Sequence, residues 1–178
     1  HLVLSTLHTN SAPETVTRLL DMGMDPFNFA DSLLAVLAQR LVRRLCTDCR
    51  APHQVGDAEL AELLADHHHL MDGVPGTPTA DDVLADWKRR FADSLGRFTL
   101  YKPGGCPKCD HTGYRGRAGV HELMTISRTL RRLIQTGTRA DELLRQALSE
   151  GMRTLRQDGI EKVLAGITTF DEVRAVAN

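Results

Sequence analysis

The chain has 178 residues with a formal net charge of −1 at pH 7, and 42% of the residues are hydrophobic. This length permits one sizeable core or two small ones. The near-zero charge argues against a general nucleic-acid or anionic-membrane surface, and no apolar run is long enough to span a bilayer. We therefore expect a soluble, cytoplasmic protein with no nucleic-acid partner. Because the chain opens directly on an apolar run at His1, we also expect it to be a piece of a longer protein.

The first 45 residues predict a strand followed by two helices. Residues 1–7 are apolar on both faces, as in a strand buried in a parallel sheet. Residues 11–14 form a capping box with Pro in the first helical turn, and Gly23 ends that helix. A second helix is expected over 26–45, because its apolar residues recur every four positions. These residues are Phe29, Leu33, Leu37 and Leu41.

The rest of the chain divides into an inserted segment and a regular C-terminal part. Residues 53–79 are acidic and rich in Gly and Pro, which indicates a surface loop. An amphipathic helix is expected over 80–95 through Trp87. Strands are expected at 98–101 and 119–124, and helices at 127–135, 139–150, 152–164 and 169–176, the last opened by a capping box at Thr169.

The four cysteines form two Cys-x-x-Cys pairs, and none is left over. The pairs are Cys46 with Cys49 and Cys106 with Cys109. Two such pairs supply the four thiolates of a closed, tetrahedral structural zinc site. Two disulfides would need an oxidising compartment, and a thioredoxin-like redox pair would explain only one of the two motifs. Other metals and free thiols remain open alternatives.

Histidines and arginines supply further candidate site residues. His1 and His8 flank the predicted N-terminal strand, and polar groups at the carboxyl end of a parallel strand often bind ligands, although a capped strand end would look the same. The run 67–69 is His-His-His, for which a solvated loop is favoured over a metal site.

The predicted second helix also carries a basic cluster near its end, and a basic helix end has two interpretations. Basic residues at a helix C-terminus interact favourably with the helix dipole, and arginines are also suited to contacting phosphate. The cluster comprises Gln39, Arg40, Arg43 and Arg44, to which Arg115 and Arg117 would add if a metal joins the two cysteine pairs.

The sequence contains no Gly-x-x-x-x-Gly-Lys-Ser/Thr motif and no evident acidic strand end for magnesium. A phosphate-cradling loop and a magnesium ligand are the main parts of a phosphoryl-transfer site. We therefore expect this chain alone to be inactive in NTP hydrolysis.

Several runs strongly resemble the secretion ATPases of the type II secretion and type IV pilus assembly family. They are HLVLSTLHTNSAPETVTRLLDMG, SLLAVLAQRLVRRLCTDC, GGCPKCDHTGYRGRAGVHELM and, near the C-terminus, GITTFDEV. In that family the first run is called the His box, and its two histidines match His1 and His8. The family's tetracysteine site matches Cys46, Cys49, Cys106 and Cys109. The segment between the cysteine pairs, about 53–97, departs from the family by its length.

The resemblance implies an α/β fold in three parts. Residues 1–45 would be the C-terminal part of a RecA-like P-loop ATPase core. Residues 46–124 would form a zinc-binding subdomain with an inserted loop at 53–97, and residues 125–178 a C-terminal helical region. The implied cofactors are structural zinc in this chain and ATP with Mg²⁺ in the full-length protein.

The resemblance also implies a function for the full-length protein. It would be a homo-hexameric NTP hydrolase at the cytoplasmic face of the inner membrane, where platform and adaptor proteins are its partners, and it would power type II protein secretion. His8, with His1 in the same His box, would sense the γ-phosphate, and Arg40 and Arg43 would contact the nucleotide or the next subunit. The alternatives are a type IV pilus assembly ATPase, a non-enzymatic zinc-ribbon module that binds a protein, and a dithiol oxidoreductase.

Overall fold

The structure, a computed structural model, describes residues 1–177, and these form a mixed α/β protein. Strand β1 pairs with β4, and β2 pairs antiparallel with β3. None of the described helices combines the length and the apolar character of a membrane span. The elements are α1 (Ala12–Asp21), α2 (Pro26–Ser32), β1 (Ala35–Leu45), β2 (Ala51–Gln54), α3 (Asp57–His68), α4 (Ala80–Phe91), β3 (Thr99–Lys102), a 3-10 turn (Pro107–Cys109), β4 (Tyr114–Thr125), α5 (Arg128–Gln135), α6 (Ala140–Ser149), α7 (Leu155–Leu164) and α8 (Phe170–Val176).

The chain folds into two compact units, each with its own core. The first unit comprises 1–38, 73–77 and 122–153. The second comprises 39–72, 78–121 and the described residues from Thr154 onward. Each unit draws on three segments of the chain, and two of the boundaries between segments fall within the residue ranges of β1 and β4.

The first unit is built from helices α1, α2, α5 and α6. Helix α1 packs on α6, α2 packs on α5, and α5 packs on α6. The start of α1 agrees with the sequence, because the Ser11 side chain accepts a hydrogen bond from the Glu14 N–H at 3.3 Å. Apolar side chains that face inward on these helices and on the strands make up the core, among them Val16, Ala30, Met124, Ile134 and Leu143.

The second unit surrounds a core that includes the tryptophan. Helix α3 packs on α4 and α7, and α7 packs on α8 and β3. Trp87 on α4 is buried, as its place in the predicted amphipathic helix indicated. The Thr79 side chain caps α4 through a capping box with Asp82. Other core members are Val42, Leu63, Val120, Ile160 and Val173.

The predicted helix over 26–45 is wrong beyond Ser32. Leu33 has extended backbone angles, and β1 follows with burial that alternates along the strand. Val36 and Val42 point inward, whereas Leu37 and Leu41 are exposed. A four-residue apolar repeat is also compatible with the two-residue period of a strand, and the β-branched residues of this run favour the strand. The basic residues of this run, Gln39, Arg40, Arg43 and Arg44, therefore lie on β1 and not on a helix.

The predicted strand over 1–7 is also absent from the described fold. These residues adopt no regular structure, and Leu4 is 90% exposed. A strand is stabilised by hydrogen bonds to a neighbouring strand. Within residues 1–177, no strand pairs with this segment. The apolar pattern alone therefore does not produce a strand here.

The segment predicted as a surface loop is largely ordered and packed. It includes part of β2 and all of α3, on which Leu63 is only 1% exposed. His67, predicted to be solvated, is buried and contacts Trp87 edge-on with ring centroids 5.2 Å apart. The Gln157 side-chain amide donates a hydrogen bond to the His67 carbonyl at 3.0 Å. The loop interpretation was wrong over α3 because one apolar face of this helix completes the core of the second unit, whereas residues 69–79 contain no helix or strand.

We predict that Leu63→Ala lowers the free energy of unfolding by about 2–5 kcal/mol, because truncating a buried leucine leaves a cavity. The matched control is Leu95→Ala, since Leu95 is 72% exposed. That change should lie within about 0.5 kcal/mol of the parent. Urea denaturation followed by tryptophan fluorescence measures both. Equal, small effects would show that residues 57–68 do not contribute to the core.

Candidate metal centre

The first cysteine pair lies on the turn that follows β1. The Cys46 N–H donates a hydrogen bond to the Gly113 carbonyl at 2.9 Å, and the Cys49 and Arg50 N–H groups donate to the Cys46 carbonyl at 3.3 and 2.9 Å. The chain thus folds back within four residues and turns both sulfurs to one side. The bond to Gly113 also joins this turn to the segment that follows the second pair.

The second pair lies on the 3-10 turn between β3 and β4. The Cys109 N–H and the His111 N–H both donate to the Cys106 carbonyl, at 3.1 and 3.0 Å. Asp110 and His111 have positive φ angles of 50° and 57°, which reverse the chain after Cys109. This tight reversal brings the sulfurs of Cys106 and Cys109 to 3.7 Å from each other.

The four sulfurs form one cluster. The Sγ atoms of Cys46 and Cys106 are 3.9 Å apart, those of Cys49 and Cys109 are 3.7 Å apart, and all four lie within 4.8 Å of one another. A tetrahedron with metal–sulfur bonds of about 2.3 Å has sulfur–sulfur edges of about 3.8 Å. A disulfide needs about 2.05 Å, so the cluster has the spacing of a tetrathiolate metal site and not of two disulfides.

Backbone N–H groups point at these sulfurs. Cys109 Sγ accepts hydrogen bonds from Cys106 N–H at 3.2 Å and from Gly113 N–H at 3.3 Å. Burial alone would raise the pKa of Cys109, but these donors outweigh it and lower the pKa to about 6. Burial raises the pKa of Cys49 to about 12, although the Gly105 N–H donates to its sulfur at 3.2 Å. The backbone N–H donors thus stabilise a thiolate at Cys109.

An ion pair joins the two cysteine turns at the surface. Lys108 Nζ lies 2.5 Å from Asp48 Oδ1. The hydrogen bond from Lys108 lowers the pKa of Asp48, and the same bond raises the pKa of Lys108. Surface pairs of this kind contribute little stability. The pair places the Lys108 ammonium near Cys106, whose charge contributes to the raised pKa of Lys108.

Arg43, a candidate nucleotide contact, is engaged within the second unit. Its guanidinium lies 2.5 Å from Glu172 Oε1 and stacks on Tyr114, 4.2 Å from the ring centre. The hydrogen bond to Glu172 raises the pKa of Arg43 and lowers that of Glu172. Arg40, half-buried on β1, donates to the Gln39 carbonyl at 3.2 Å.

The same contacts explain why the predicted capping box at Thr169 is wrong. The Thr169 side chain makes no cap hydrogen bond; its hydroxyl instead lies 3.0 Å from the Tyr114 hydroxyl. Glu172, which should have completed the box, pairs with Arg43. Helix α8 is thus held to β1 and β4 by side chains that local sequence patterns could not pair.

The two candidate histidines lie in the first unit. His1 and His8 are both exposed in the segment that precedes α1. His8 borders an open cleft of about 400 Å³, together with neighbouring polar residues of this segment and of α1. These residues are Thr9, Asn10, Glu14, Thr17, Arg18 and Asp21.

Two glycines beside the cysteines are important to the metal centre, and the first of them, Gly104, was missed in the sequence. A Cβ on Gly104 would lie 2.1 Å from the Cys49 carbonyl oxygen, so only glycine allows the two turns to approach. Gly113 has φ of +77°, and a Cβ there would lie 2.4 Å from Pro103 Cβ. The position of Gly104 two residues before Cys106 was the signal that could have identified it.

We predict that Gly113→Ala destabilises the chain more than Gly116→Ala. Gly116 has nearly the same φ, +78°, but open space around it, so it controls for backbone strain alone. Left-handed strain costs about 1–2 kcal/mol in both variants, and overlap with Pro103 adds about 1–3 kcal/mol for Gly113. Thermal unfolding of the two variants measures the difference. Equal melting temperatures would contradict the close approach.

The chain is similar to known proteins of bacterial secretion and pilus systems. The family model described as "Type II/IV secretion system protein" matches residues 1–175. The type II secretion system protein E of Dickeya dadantii is 45% identical over 173 residues, which are 97% of this chain and 29% of that protein. The type II secretion system ATPase E of Vibrio cholerae is 42% identical over 180 residues, covering 99% of this chain and 29% of that protein.

A pilus protein is similar to nearly the same degree. The type IV pilus assembly ATPase PilB of Myxococcus xanthus is 42% identical over 173 residues, covering 97% of this chain and 26% of that protein. The chain thus spans less than a third of the length of these relatives. The matched region nevertheless includes both cysteine pairs and the run from His1 to His8. The chain therefore belongs to the type II/IV secretion system protein family.

Proposed function

We propose that Cys46, Cys49, Cys106 and Cys109 hold one zinc ion. Three of the sulfur–sulfur distances are 3.7–3.9 Å, and all four sulfurs lie within 4.8 Å of one another. This spacing supports the proposal, as do the N–H donors that stabilise a thiolate. Bound zinc supplies a closed tetrahedral cross-link with no position for a substrate. The cysteines would thereby fix the end of β1 against the segment from β3 to β4. The role is structural, and the binding free energy of the metal adds to folding.

We propose that the full-length protein is a homo-hexameric ATPase that powers type II protein secretion at the inner membrane, using ATP and Mg²⁺ held by a P-loop and acidic residues outside this chain. One observation carries the proposal: nearly the whole chain matches relatives whose names include type II secretion system protein E and type II secretion system ATPase E. A zinc-ribbon module without ATPase activity would explain the cysteines but not a match that begins at residue 1. Type IV pilus assembly is the second candidate, because the pilus ATPase of Myxococcus xanthus is 42% identical.

We propose further that residues 1–45 complete a RecA-like ATPase core in the full-length protein. The exposed side chains of Leu2, Val3 and Leu4 support this, because an apolar run of this kind suits a strand covered on both faces by a parallel sheet. In that arrangement His8 follows the carboxyl end of the strand, where open α/β sheets bind ligands. His8 would then sense the γ-phosphate, and His1 would flank the same strand.

We propose Arg40 and Arg43 as contacts with the nucleotide or a neighbouring subunit of the full-length protein. Both residues lie on β1. Arg43 would leave Glu172 and Tyr114 to make such a contact.

The metal proposal predicts about one equivalent of zinc per chain after purification without added metal. Cys106→Ser should release the zinc and lower the melting temperature, because metal binding contributes to folding. Thr47→Ala is the matched control, since Thr47 is exposed between the first two cysteines and offers no thiol. Metal analysis and calorimetry on the same samples measure both effects. Full zinc content in Cys106→Ser would refute the four-cysteine site.

The ATPase proposal predicts that the full-length protein hydrolyses ATP and that this chain alone does not. His8→Ala in the full-length protein should lower kcat much more than it weakens ATP binding, because a γ-phosphate sensor acts in the transition state. His69→Ala, an exposed histidine in the second unit, is the control. Steady-state turnover and nucleotide titration supply the two quantities. Turnover by the isolated chain would contradict its expected inactivity. An unchanged kcat in His8→Ala would contradict the sensor role of His8.

A further inference from the structure

A buried carboxylate lies against the first residue of helix α1. Glu122 on β4 is only 4% exposed, and its Oε1 accepts a hydrogen bond from the Ala12 N–H at 2.7 Å. The two residues are 110 positions apart in sequence. Ala12 is itself fully buried, so the bond is shielded from water. A carboxylate is costly to bury unless its oxygens are hydrogen-bonded. The Ala12 N–H supplies such a bond at the start of α1.

Glu122 completes the N-terminal cap of α1. The first N–H groups of a helix have no partner within the helix, and a negative charge there is favourable. Ser11 accepts the N–H of Glu14, and Glu122 accepts that of Ala12. The local cap alone would set the start of the helix along the chain. The hydrogen bond that Glu122 accepts from Ala12 sets where that start lies relative to Glu122 on β4, within the first unit.

The residues just before α1 are tied to this cap. The hydroxyls of Thr9 and Thr15 lie 2.6 Å apart, and the Asn10 N–H donates to Glu14 Oε2 at 3.3 Å. His8 directly precedes this bonded segment and borders the cleft of about 400 Å³. His8 thus lies four positions from the residue that Glu122 binds. A shift of the α1 N-terminus would carry His8 with it.

We propose that Glu122 is a positioning residue for His8. Glu122 holds the N-terminus of α1 through its hydrogen bond with the Ala12 N–H, and the bonded segment from Thr9 to Glu14 transmits that position to His8. The proposal rests on the sensor role proposed above for His8. It adds that turnover depends on a carboxylate outside the His box, on the strand that follows the second cysteine pair.

The test uses the full-length protein with three substitutions. Glu122→Ala removes the acceptor, Glu122→Gln keeps an acceptor oxygen, and Met124→Ala opens a cavity in the same unit two residues along β4 without touching α1's cap. We expect Glu122→Ala to lower kcat about 10-fold or more with less than about a 2-fold change in the ATP dissociation constant, because small misplacements of catalytic groups reduce turnover strongly. Glu122→Gln should recover most of the kcat. Met124→Ala should lower the melting temperature with a smaller loss of kcat.

Hydrogen–deuterium exchange tests the positioning without reference to activity. In Glu122→Ala the peptide covering residues 8–16 should exchange faster, while peptides of α6 keep their protection. In Met124→Ala, any increase should be spread over the first unit. Unchanged exchange in residues 8–16 would overturn the proposal. It would also be overturned if Glu122→Ala and Met124→Ala lost kcat in the same proportion to their loss of stability. Absence of ATPase activity in the parent protein would instead refute the proposed function, and the exchange data would still decide the role of Glu122.

Discussion

Four sulfurs within 4.8 Å of one another are the constraint on which the second unit depends. They join turns 60 residues apart, and the close approach of those turns requires glycine where a side chain would meet the backbone. The same region receives the end of β1 and the start of β4. Helix α8 is then attached to these strands through Arg43, Glu172 and Tyr114. The cluster thus fixes strand ends from which other contacts of the unit are built.

The first unit depends on a different kind of contact. Its helices pack through apolar side chains, but the position of α1 is specified by one buried hydrogen bond from Ala12 to Glu122. Hydrophobic packing is non-directional, whereas a buried carboxylate has to meet its donor with correct geometry. This difference gives a reason for the segment that carries His8 to be positioned by a hydrogen bond to a buried carboxylate.

The sequence identified the cysteine cluster and most helices, because these features are local. Spacing brings each cysteine pair together, and a cap such as Ser11 marks a helix start. The errors arose where distant partners decide the structure. Leu37 fits a helical repeat, but it lies on a strand because Val36 and Val42 face a core. His67 lies in a sequence that resembles a loop, but its ring packs against Trp87. Glu122 and its partner Ala12 are likewise more than 100 residues apart, as are Arg43 and Glu172, so no local pattern indicated these contacts.

The most direct test of this account is X-ray absorption spectroscopy of the purified protein at the zinc edge. The account predicts a first shell of four sulfur atoms at about 2.3 Å from zinc, the distance of a tetrathiolate site. A shell that contains nitrogen or oxygen donors, or fewer than four sulfurs, would contradict the assignment of Cys46, Cys49, Cys106 and Cys109 as a closed structural site.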